Sequence, residues 1–266
     1  MWRTIVPLLL LMLAATAVVA LSQDTPAEPP AEPAAEPPPA AATYALPVML
    51  PADLPPRCAD WARQKRAQFA ADDRRRDRLV DLVFAGDSLI EGFAPLPLAG
   101  RYEVVNRGIA CDTTRGLHER LLRDVAALRP RLAVLLIGIN DLFLLDRLPP
   151  DDRSLLTAVD IESLALRLQG HRIKPVVLSL LPTRVPVPGL SVDGTNELIR
   201  DLNVELRRFC RRLGILFVDV HGALADHRRW LREDLTGDGL HPNMEGYRLL
   251  SNLLAPVLKT ELKEPD

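Results

Sequence analysis

Five short apolar runs constrain the fold of this 266-residue chain more than any other feature. In order they cover residues 82–85, 104–105, 132–137, 176–180 and 215–218. None alternates with polar residues, which is typical of strands covered on both faces. Helix-like segments separate the runs, and the clearest has apolar side chains every three or four positions, at Leu198, Leu202, Leu206, Phe209 and Leu213. The pattern predicts right-handed βαβ units and a five-stranded parallel sheet with helices on both sides.

The first 56 residues differ in character from the rest of the chain. Arg3 precedes an apolar run that ends in Val18-Val19-Ala20, as in a secretory signal peptide over residues 1–22. The run is near the lower length limit for crossing a bilayer, so a membrane anchor is the alternative. Residues 23–56 are rich in Pro, Ala and Glu and predict an extended linker. Both interpretations place a folded domain, residues 57–262, outside the cytoplasm: periplasmic, secreted or tethered to a membrane.

The charge pattern gives no support to nucleic-acid binding. The formal net charge is −2, and the one strong basic cluster, 74–76, lies in a predicted helix over 56–78. Asp72, Asp73 and Asp77 interleave with that cluster, which predicts a solvated, ion-paired surface. The three cysteines lack metal-ligand spacing, which argues against a zinc site. One disulfide is possible in an oxidising compartment, with the pairing left open among Cys58, Cys111 and Cys210.

Polar motifs follow the first three apolar runs and precede a last predicted helix at about 244–258. They are Gly86-Asp87-Ser88-Leu89, Asn106-Arg107-Gly108-Ile109, Gly138-Ile139-Asn140-Asp141 and Asp238-Gly239-Leu240-His241-Pro242. The carboxyl ends of parallel strands meet at one edge of the sheet, where ligands bind in open α/β folds. We therefore expect the side chains of these motifs to converge.

The residue types in these motifs suit acyl transfer. A serine hydroxyl becomes a nucleophile only when a base takes its proton. Ser88 is the candidate nucleophile, His241 the base, and Asp238 the acid that fixes the imidazole tautomer. The negative charge of a tetrahedral intermediate needs hydrogen-bond donors. Candidates for this oxyanion hole are the backbone N–H groups of Ser88 and Gly108 and the side-chain amide of Asn140.

Each motif alone also has an ordinary structural explanation. Gly-Asp-Ser is a common turn, Asn140-Asp141 can cap a helix, and Asp238 with His241 could be half of a metal site. Their joint occurrence, in order and each at the correct end of a strand, favours catalysis. His221 is a rival base that ranks below His241. The other histidines have no comparable context and are expected to be surface or packing residues; they are His118, His171 and His227.

Together the four motifs resemble the four blocks of the SGNH/GDSL hydrolases. The stretch 106–114 is similar to the branch that contains the platelet-activating-factor acetylhydrolase subunits, and the resemblance spans about 80–258. It implies a three-layer, flavodoxin-like α/β/α sandwich, no cofactor, and ester hydrolysis through an acyl-enzyme. No metal is expected either, because no further His or Cys cluster joins Asp238 and His241 in the sequence. It also assigns the nucleophile, the other triad members and the oxyanion donors to the residues proposed above. Cys111 departs from the pattern, since many relatives have glycine there; it would narrow the pocket or form a disulfide.

These observations predict a serine carboxylic-ester hydrolase that acts on short acyl groups such as acetyl, because no long apolar segment suggests a lid for lipid chains. The substrate is expected to be a small-molecule or glycan ester. Acyl transfer to, or deacetylation of, a cell-envelope polysaccharide would use the same residues. A catalytically silent envelope binding protein is the non-enzymatic alternative, which the presence of Ser88, Asp238 and His241 argues against.

Overall fold

The computed structural model describes residues 55–94, 98, 101–145 and 147–263. The predicted signal peptide or anchor (1–22) and all but the last two residues of the predicted linker (23–56) lie outside the described residues. Among the helices that are described, none is both long and apolar enough to span a bilayer.

One parallel sheet of five strands forms the centre of the domain, as predicted. The strands are β1 (Leu82–Gly86), β2 (Val104–Gly108), β3 (Leu132–Leu136), β4 (Lys174–Leu178) and β5 (Leu216–Val218). Their order across the sheet is β2-β1-β3-β4-β5. In the register of this sheet, Gly86 at the end of β1 lies opposite Gly108 of β2 and Leu136 of β3. The carboxyl ends of the three strands are therefore level with one another.

The strands differ in how completely helices cover them. Every residue of β1 and β3 is buried, which explains why these segments are apolar without alternation. The expectation of coverage on both faces is wrong for β5, whose residues are only partly buried because it is an edge strand. β2 continues three residues beyond its apolar pair, since the polar side chain of Asn106 finds hydrogen-bond partners within the fold.

Eight α-helices are described. They are α1 (Pro56–Arg74), α2 (Ser88–Glu91), α3 (Thr114–Asp124), α4 (Ile139–Leu144), α5 (Pro150–Gly170), α6 (Val192–Leu213), α7 (His221–Leu224) and α8 (Met244–Glu261). The apolar stripe predicted in α6 packs against the core, and Ser191 caps its first turn by accepting a hydrogen bond from the Gly194 N–H at 3.1 Å. α1 ends at Arg74, four residues before the predicted end of the helix at residue 78. Arg76, beyond the end of the helix, pairs with Glu103.

The strand order reverses direction at β1. The chain passes from β1 to β2 on one side and then crosses back to β3, β4 and β5 on the other. Right-handed crossovers in opposite directions place their helices on opposite faces of the sheet. A crevice then opens at the carboxyl ends beside the reversal, which is where doubly wound sheets bind ligands. α2 follows β1 and α4 follows β3, so both begin at this crevice.

Candidate active site

Ser88 is the first residue of α2, directly after β1. The Asp87 side chain caps this short helix by accepting a hydrogen bond from the Leu89 N–H at 2.9 Å. Gly86 allows the strand to pass close to β3, because a Cβ atom there would lie 1.9 Å from the Leu136 carbonyl oxygen. The Gly-Asp-Ser turn therefore combines close strand packing, a helix cap and a hydroxyl at the carboxyl edge of the sheet.

His241 and Asp238 lie in one hydrogen-bonded loop before α8. One carboxylate oxygen of Asp238 accepts hydrogen bonds from the backbone N–H groups of Leu240 and His241, at 2.9 and 2.8 Å. The other lies 2.6 Å from Nδ1 of His241. Gly239 has a φ of +83°, in the left-handed region that glycine adopts at no steric cost. A three-residue separation thus brings a carboxylate and an imidazole together, as the sequence predicted.

Four hydrogen bonds that hold this loop could not be predicted from the sequence. The Thr236 hydroxyl donates to the His241 carbonyl at 2.8 Å and accepts from the Gly239 N–H at 2.9 Å. The Gly239 carbonyl in turn accepts the Arg184 backbone N–H at 2.7 Å and the Thr183 hydroxyl at 3.2 Å. The segment after β4 therefore supports the histidine loop, although no motif in that segment indicated this.

The imidazole of His241 reaches the Ser88 hydroxyl. Its Nε2 lies 2.9 Å from the Ser88 Oγ across 153 residues of sequence. With Asp238 on Nδ1, the proton of the neutral ring is held on that nitrogen, which leaves Nε2 as an acceptor for the hydroxyl. Burial acts to raise the pKa of Asp238, but the hydrogen bonds from His241 and Leu240 outweigh it and hold that pKa well below its usual range. The carboxylate is therefore ionised throughout the neutral pH range.

The predicted oxyanion donors follow or end the strands β1, β2 and β3, and they differ in the hydrogen bonds that they already make. Asn140, the second residue of α4, donates one amide hydrogen to the Asp112 carbonyl at 2.9 Å, which leaves its second hydrogen. The Gly108 N–H already donates to the side-chain oxygen of Asn106 at 2.8 Å. The Gly108 N–H can therefore donate to an oxyanion only if it shares its hydrogen between two acceptors or breaks its hydrogen bond to Asn106. The Ser88 N–H lies at the amino end of α2, where helix N–H groups have no partner within the helix.

Asn106 has a structural role that the sequence did not reveal. Its side-chain nitrogen donates to the carbonyls of Ile90 at 2.6 Å and Phe93 at 2.9 Å, while its oxygen accepts the Gly108 N–H. A Cβ atom at Gly108 would lie 2.1 Å from the Glu91 backbone nitrogen. Asn106 and Gly108 therefore let the end of β2 lie directly against α2. The Asn-x-Gly spacing was the available signal, since one residue between them puts both on the same face of a strand.

Two buried carboxyl groups lie beneath the site. Burial raises the pKa of Asp87 to about 8, despite the hydrogen bond from the Leu89 N–H. Burial likewise raises the pKa of Asp141 to about 7, with the hydroxyl and N–H of Thr114 opposing the shift. Asp141 thereby fixes the start of α3 against α4, and Asp87 fixes α2.

The other histidines lie apart from this cluster. His221 begins α7 beyond the edge strand β5, where its backbone N–H donates to the Ser179 hydroxyl at 2.9 Å and burial lowers its pKa. His118 contacts the Asp160 carbonyl and the Arg167 guanidinium. Within the described ranges, no three His, Cys, Asp or Glu side chains are grouped as a metal site would require. The structure thus brings His241, and not His221, to Ser88.

The cysteine pairing left open by the sequence is Cys58–Cys111, with a Cα–Cα distance of 5.8 Å. The bond joins α1 to the loop that follows Gly108. Cys111 has a φ of +66°, a left-handed conformation that glycine adopts more readily than any other residue. Cys210 is free and buried in α6, and burial raises the pKa of its thiol to about 12.

Residues 84–249 match the model of the GDSL-like lipase/acylhydrolase family. The chain belongs to this family. An acetylxylan esterase from Geobacillus stearothermophilus is 28% identical over 150 residues, which are 56% of this chain and 68% of that protein. The GDSL lipase Rv0518 from Mycobacterium tuberculosis is 39% identical over 85 residues, 32% of this chain and 34% of that protein.

Solved structures share the same architecture. A GDSL-like lipase from Bacteroides thetaiotaomicron superposes with a TM-score of 0.63 at 24% identity, over 75% of this chain and 97% of that one. The resemblance inferred from the four motifs is confirmed, as is the α/β sandwich that it implied. This GDSL-family protein is accordingly an ester-hydrolysing enzyme.

Proposed function

We propose that Ser88, His241 and Asp238 are the catalytic triad of a carboxylic-ester hydrolase that removes short acyl groups, acetyl above all, from a saccharide alcohol. The observation that carries the triad is the continuous chain of contacts from the Asp238 carboxylate through the imidazole to the Ser88 hydroxyl, at 2.6 and 2.9 Å. These distances allow proton transfer without rearrangement.

In the acylation step, Ser88 Oγ attacks the ester carbonyl carbon while its proton passes to His241 Nε2. The carbonyl oxygen becomes an oxyanion, which the Ser88 N–H and the second amide hydrogen of Asn140 stabilise. The Gly108 N–H becomes a third donor when its hydrogen bond to Asn106 breaks. The imidazolium is stabilised by the ionised Asp238. It then protonates the leaving alcohol oxygen as the carbon–oxygen bond breaks, which leaves an acyl-Ser88 ester and a neutral histidine.

Deacylation repeats these steps with water as the nucleophile. His241 Nε2 takes a proton from the water as its oxygen attacks the acyl carbon, and the same donors stabilise the second oxyanion. The proton returns to Ser88 Oγ when the acyl–serine bond breaks, so the acid leaves and the hydroxyl is restored. The His241 side chain is 40% exposed and that of Asp238 is 56% exposed, so water reaches this edge of the sheet.

Two observations other than the triad geometry support a short acyl group and a saccharide alcohol as the two parts of the substrate. The acetylxylan esterase from G. stearothermophilus matches this chain over most of both proteins. The openness of the histidine loop suits a bulky, polar alcohol better than a long alkyl chain, which would need an enclosed apolar channel. Export of the enzyme belongs to the same proposal, and it is supported by the Cys58–Cys111 disulfide, a bond that persists in oxidising compartments.

Activity-based labelling followed by an acyl-length series tests this proposal. A fluorophosphonate probe is expected to modify Ser88, as located by mass spectrometry of the labelled peptide. Among 4-nitrophenyl esters, acetate is expected to have a higher kcat/KM than butyrate or octanoate. Labelling of another residue would overturn the triad, whereas a preference for octanoate would overturn the short-acyl assignment and leave the triad in place.

Replacing Asn140 with Ala is expected to lower kcat by about 10²–10³-fold with little change in KM. The amide donates to charge that develops only in the transition state, so ground-state binding does not depend on it. Steady-state kinetics on 4-nitrophenyl acetate measure both constants. Because Asn140 also donates to the Asp112 carbonyl, thermal unfolding should accompany the assay. A kcat within threefold of the wild type would remove Asn140 from the oxyanion hole.

A further inference from the structure

Helix α1 contacts the active-site region through the side chain of Glu91. This residue ends α2, three positions after Ser88, so both side chains project from the same side of the helix. The Glu91 carboxylate accepts the Ala110 backbone N–H, two residues beyond the oxyanion candidate Gly108. From the other side it accepts the indole N–H of Trp61, at 3.1 Å to each oxygen.

Trp61 is held in place at this junction and remains accessible. The Cys58–Cys111 disulfide fixes α1 one turn before Trp61, and the Lys65 ammonium lies 3.4 Å from Glu91 one turn after it. Even so, 42% of Trp61 is exposed. An indole whose N–H is bound and whose helix is covalently tethered loses little further freedom when a ligand packs against it. α1 also precedes residue 84, where the match to the family begins, so the family resemblance assigns Trp61 no role.

We propose that Trp61 is a substrate-binding residue that packs against a sugar ring on the alcohol side of the scissile ester, next to Ser88. This inference rests on the proposed function and names the part of the substrate that the triad does not contact. The leaving alcohol must lie near His241 Nε2 to receive its proton. Gly108, an oxyanion candidate of the same site, leads into the loop that Glu91 connects to Trp61. A saccharide longer than one ring would extend across this loop toward α1.

The surroundings of Trp61 favour a sugar over an alkyl chain. A pyranose presents a face of C–H groups bordered by hydroxyls, which suits an aromatic ring bordered by polar groups. The Lys65 ammonium lies over one face of the Trp61 ring, 5.8 Å from its centroid, and Glu91 lies at the indole N–H. Arg57 is one turn away on α1. An alkyl chain would desolvate these charged groups and offer them no hydrogen bond, which is unfavourable. Hydroxyl groups can instead hydrogen-bond to them.

The main test compares two substrates in three variants, and 4-nitrophenyl octanoate serves as a third substrate that detects an acyl-chain site. We expect Trp61→Ala to lower the ratio of kcat/KM for acetylated xylo-oligosaccharides to kcat/KM for 4-nitrophenyl acetate at least tenfold. Trp61→Phe keeps an aromatic face and is expected to hold that ratio within threefold of the wild type. Leu79→Ala is the matched control, because Leu79 is 89% exposed and lies before β1, at the opposite edge of the sheet. Its ratio should equal that of the wild type.

The possible failures can be told apart. Equal loss on both substrates in Trp61→Ala would mean that the indole only supports Glu91 and its loop, and no loss on either would mean that it has no role; each overturns the inference. A larger loss on 4-nitrophenyl octanoate than on the oligosaccharide would make the occupant an acyl chain and also overturn it. A wild type that cleaves nitrophenyl acetate but no acetylated saccharide overturns the sugar assignment alone. Turnover that survives Ser88→Ala would instead contradict the proposed triad itself.

Discussion

Replacing Ser88 with Ala is expected to lower kcat for 4-nitrophenyl acetate by about 10⁴-fold or more. The substitution removes the only atom that can form the acyl-enzyme, while the imidazole, its carboxylate partner and the backbone N–H remain. Residual turnover would come from water activated by His241 and from the oxyanion donors. The substitution should leave folding intact, because the alanine methyl group is smaller than the serine side chain that it replaces.

Combining this change with a second one tests whether the residues act as a unit. His241→Ala alone should cost nearly as much as Ser88→Ala, and the double variant should be little worse than either single one. Non-additivity of this kind is expected only if the imidazole acts through the hydroxyl, as the 2.9 Å distance between Nε2 and Oγ indicates. Effects that multiply would mean that the two residues contribute independently, which the proposed mechanism does not permit.

A matched control exists on α8. Ser251 has a buried hydroxyl that makes no hydrogen bond with the described residues, so its replacement by Ala removes an unsatisfied polar atom. Ser251→Ala should retain wild-type kinetics and equal or higher stability in urea. The kcat of Ser88→Ala is measured beside this control. If Ser88→Ala kept more than a tenth of the wild-type kcat, Ser88 would be excluded as the nucleophile.

The sheet and the Ser88–His241 contact could be predicted from sequence because both depend on local patterns repeated at fixed places in the fold. Strands buried on both faces must be apolar, and parallel strands end at one edge. Asp238 and His241 are close in sequence, so a single glycine turn suffices to join them. β5 shows the limit of this reasoning, since the same apolar pattern occurs in an edge strand that is only partly buried.

The contacts that could not be predicted join segments with no fixed spacing. Glu91 contacts Trp61 across 30 residues and Ala110 across 19, through side-chain geometry that no periodicity encodes. The partner of Cys111 was open for the same reason, because three cysteines allow three pairings. Cys111 has a left-handed φ of +66°, a backbone conformation that glycine adopts more readily than cysteine and that the sequence pattern does not indicate.

Replacing Gly108 with Ala is expected to destabilise the domain by about 3 kcal/mol or more and to lower kcat/KM for 4-nitrophenyl acetate by at least about 100-fold. The added Cβ atom would lie 2.1 Å from the Glu91 backbone nitrogen and 2.6 Å from its Cα. Both are backbone atoms of α2, so no side chain can rotate away to make room. Either β2 or α2 must move, and each carries part of the active site.

Urea unfolding and thermal melts measure the stability loss, which corresponds to a fall in Tm of about 6–12 °C for a domain of this size. Gly170→Ala is the matched control, because nothing lies within 4 Å of a Cβ atom at that position, the last residue of α5. It should be as stable as the wild type or slightly more so, since alanine has less conformational freedom to lose in a helix. Activity should be unchanged there.

The two effects of Gly108→Ala separate structural from catalytic consequences. If α2 moves, Ser88 shifts relative to His241, and fluorophosphonate labelling should slow in proportion to kcat/KM. If the end of β2 moves instead, labelling continues but the third oxyanion donor is misplaced, so turnover of acetate falls more than labelling does. Wild-type stability in Gly108→Ala would contradict the close approach of β2 to α2, and with it the requirement for glycine at the second motif of this site.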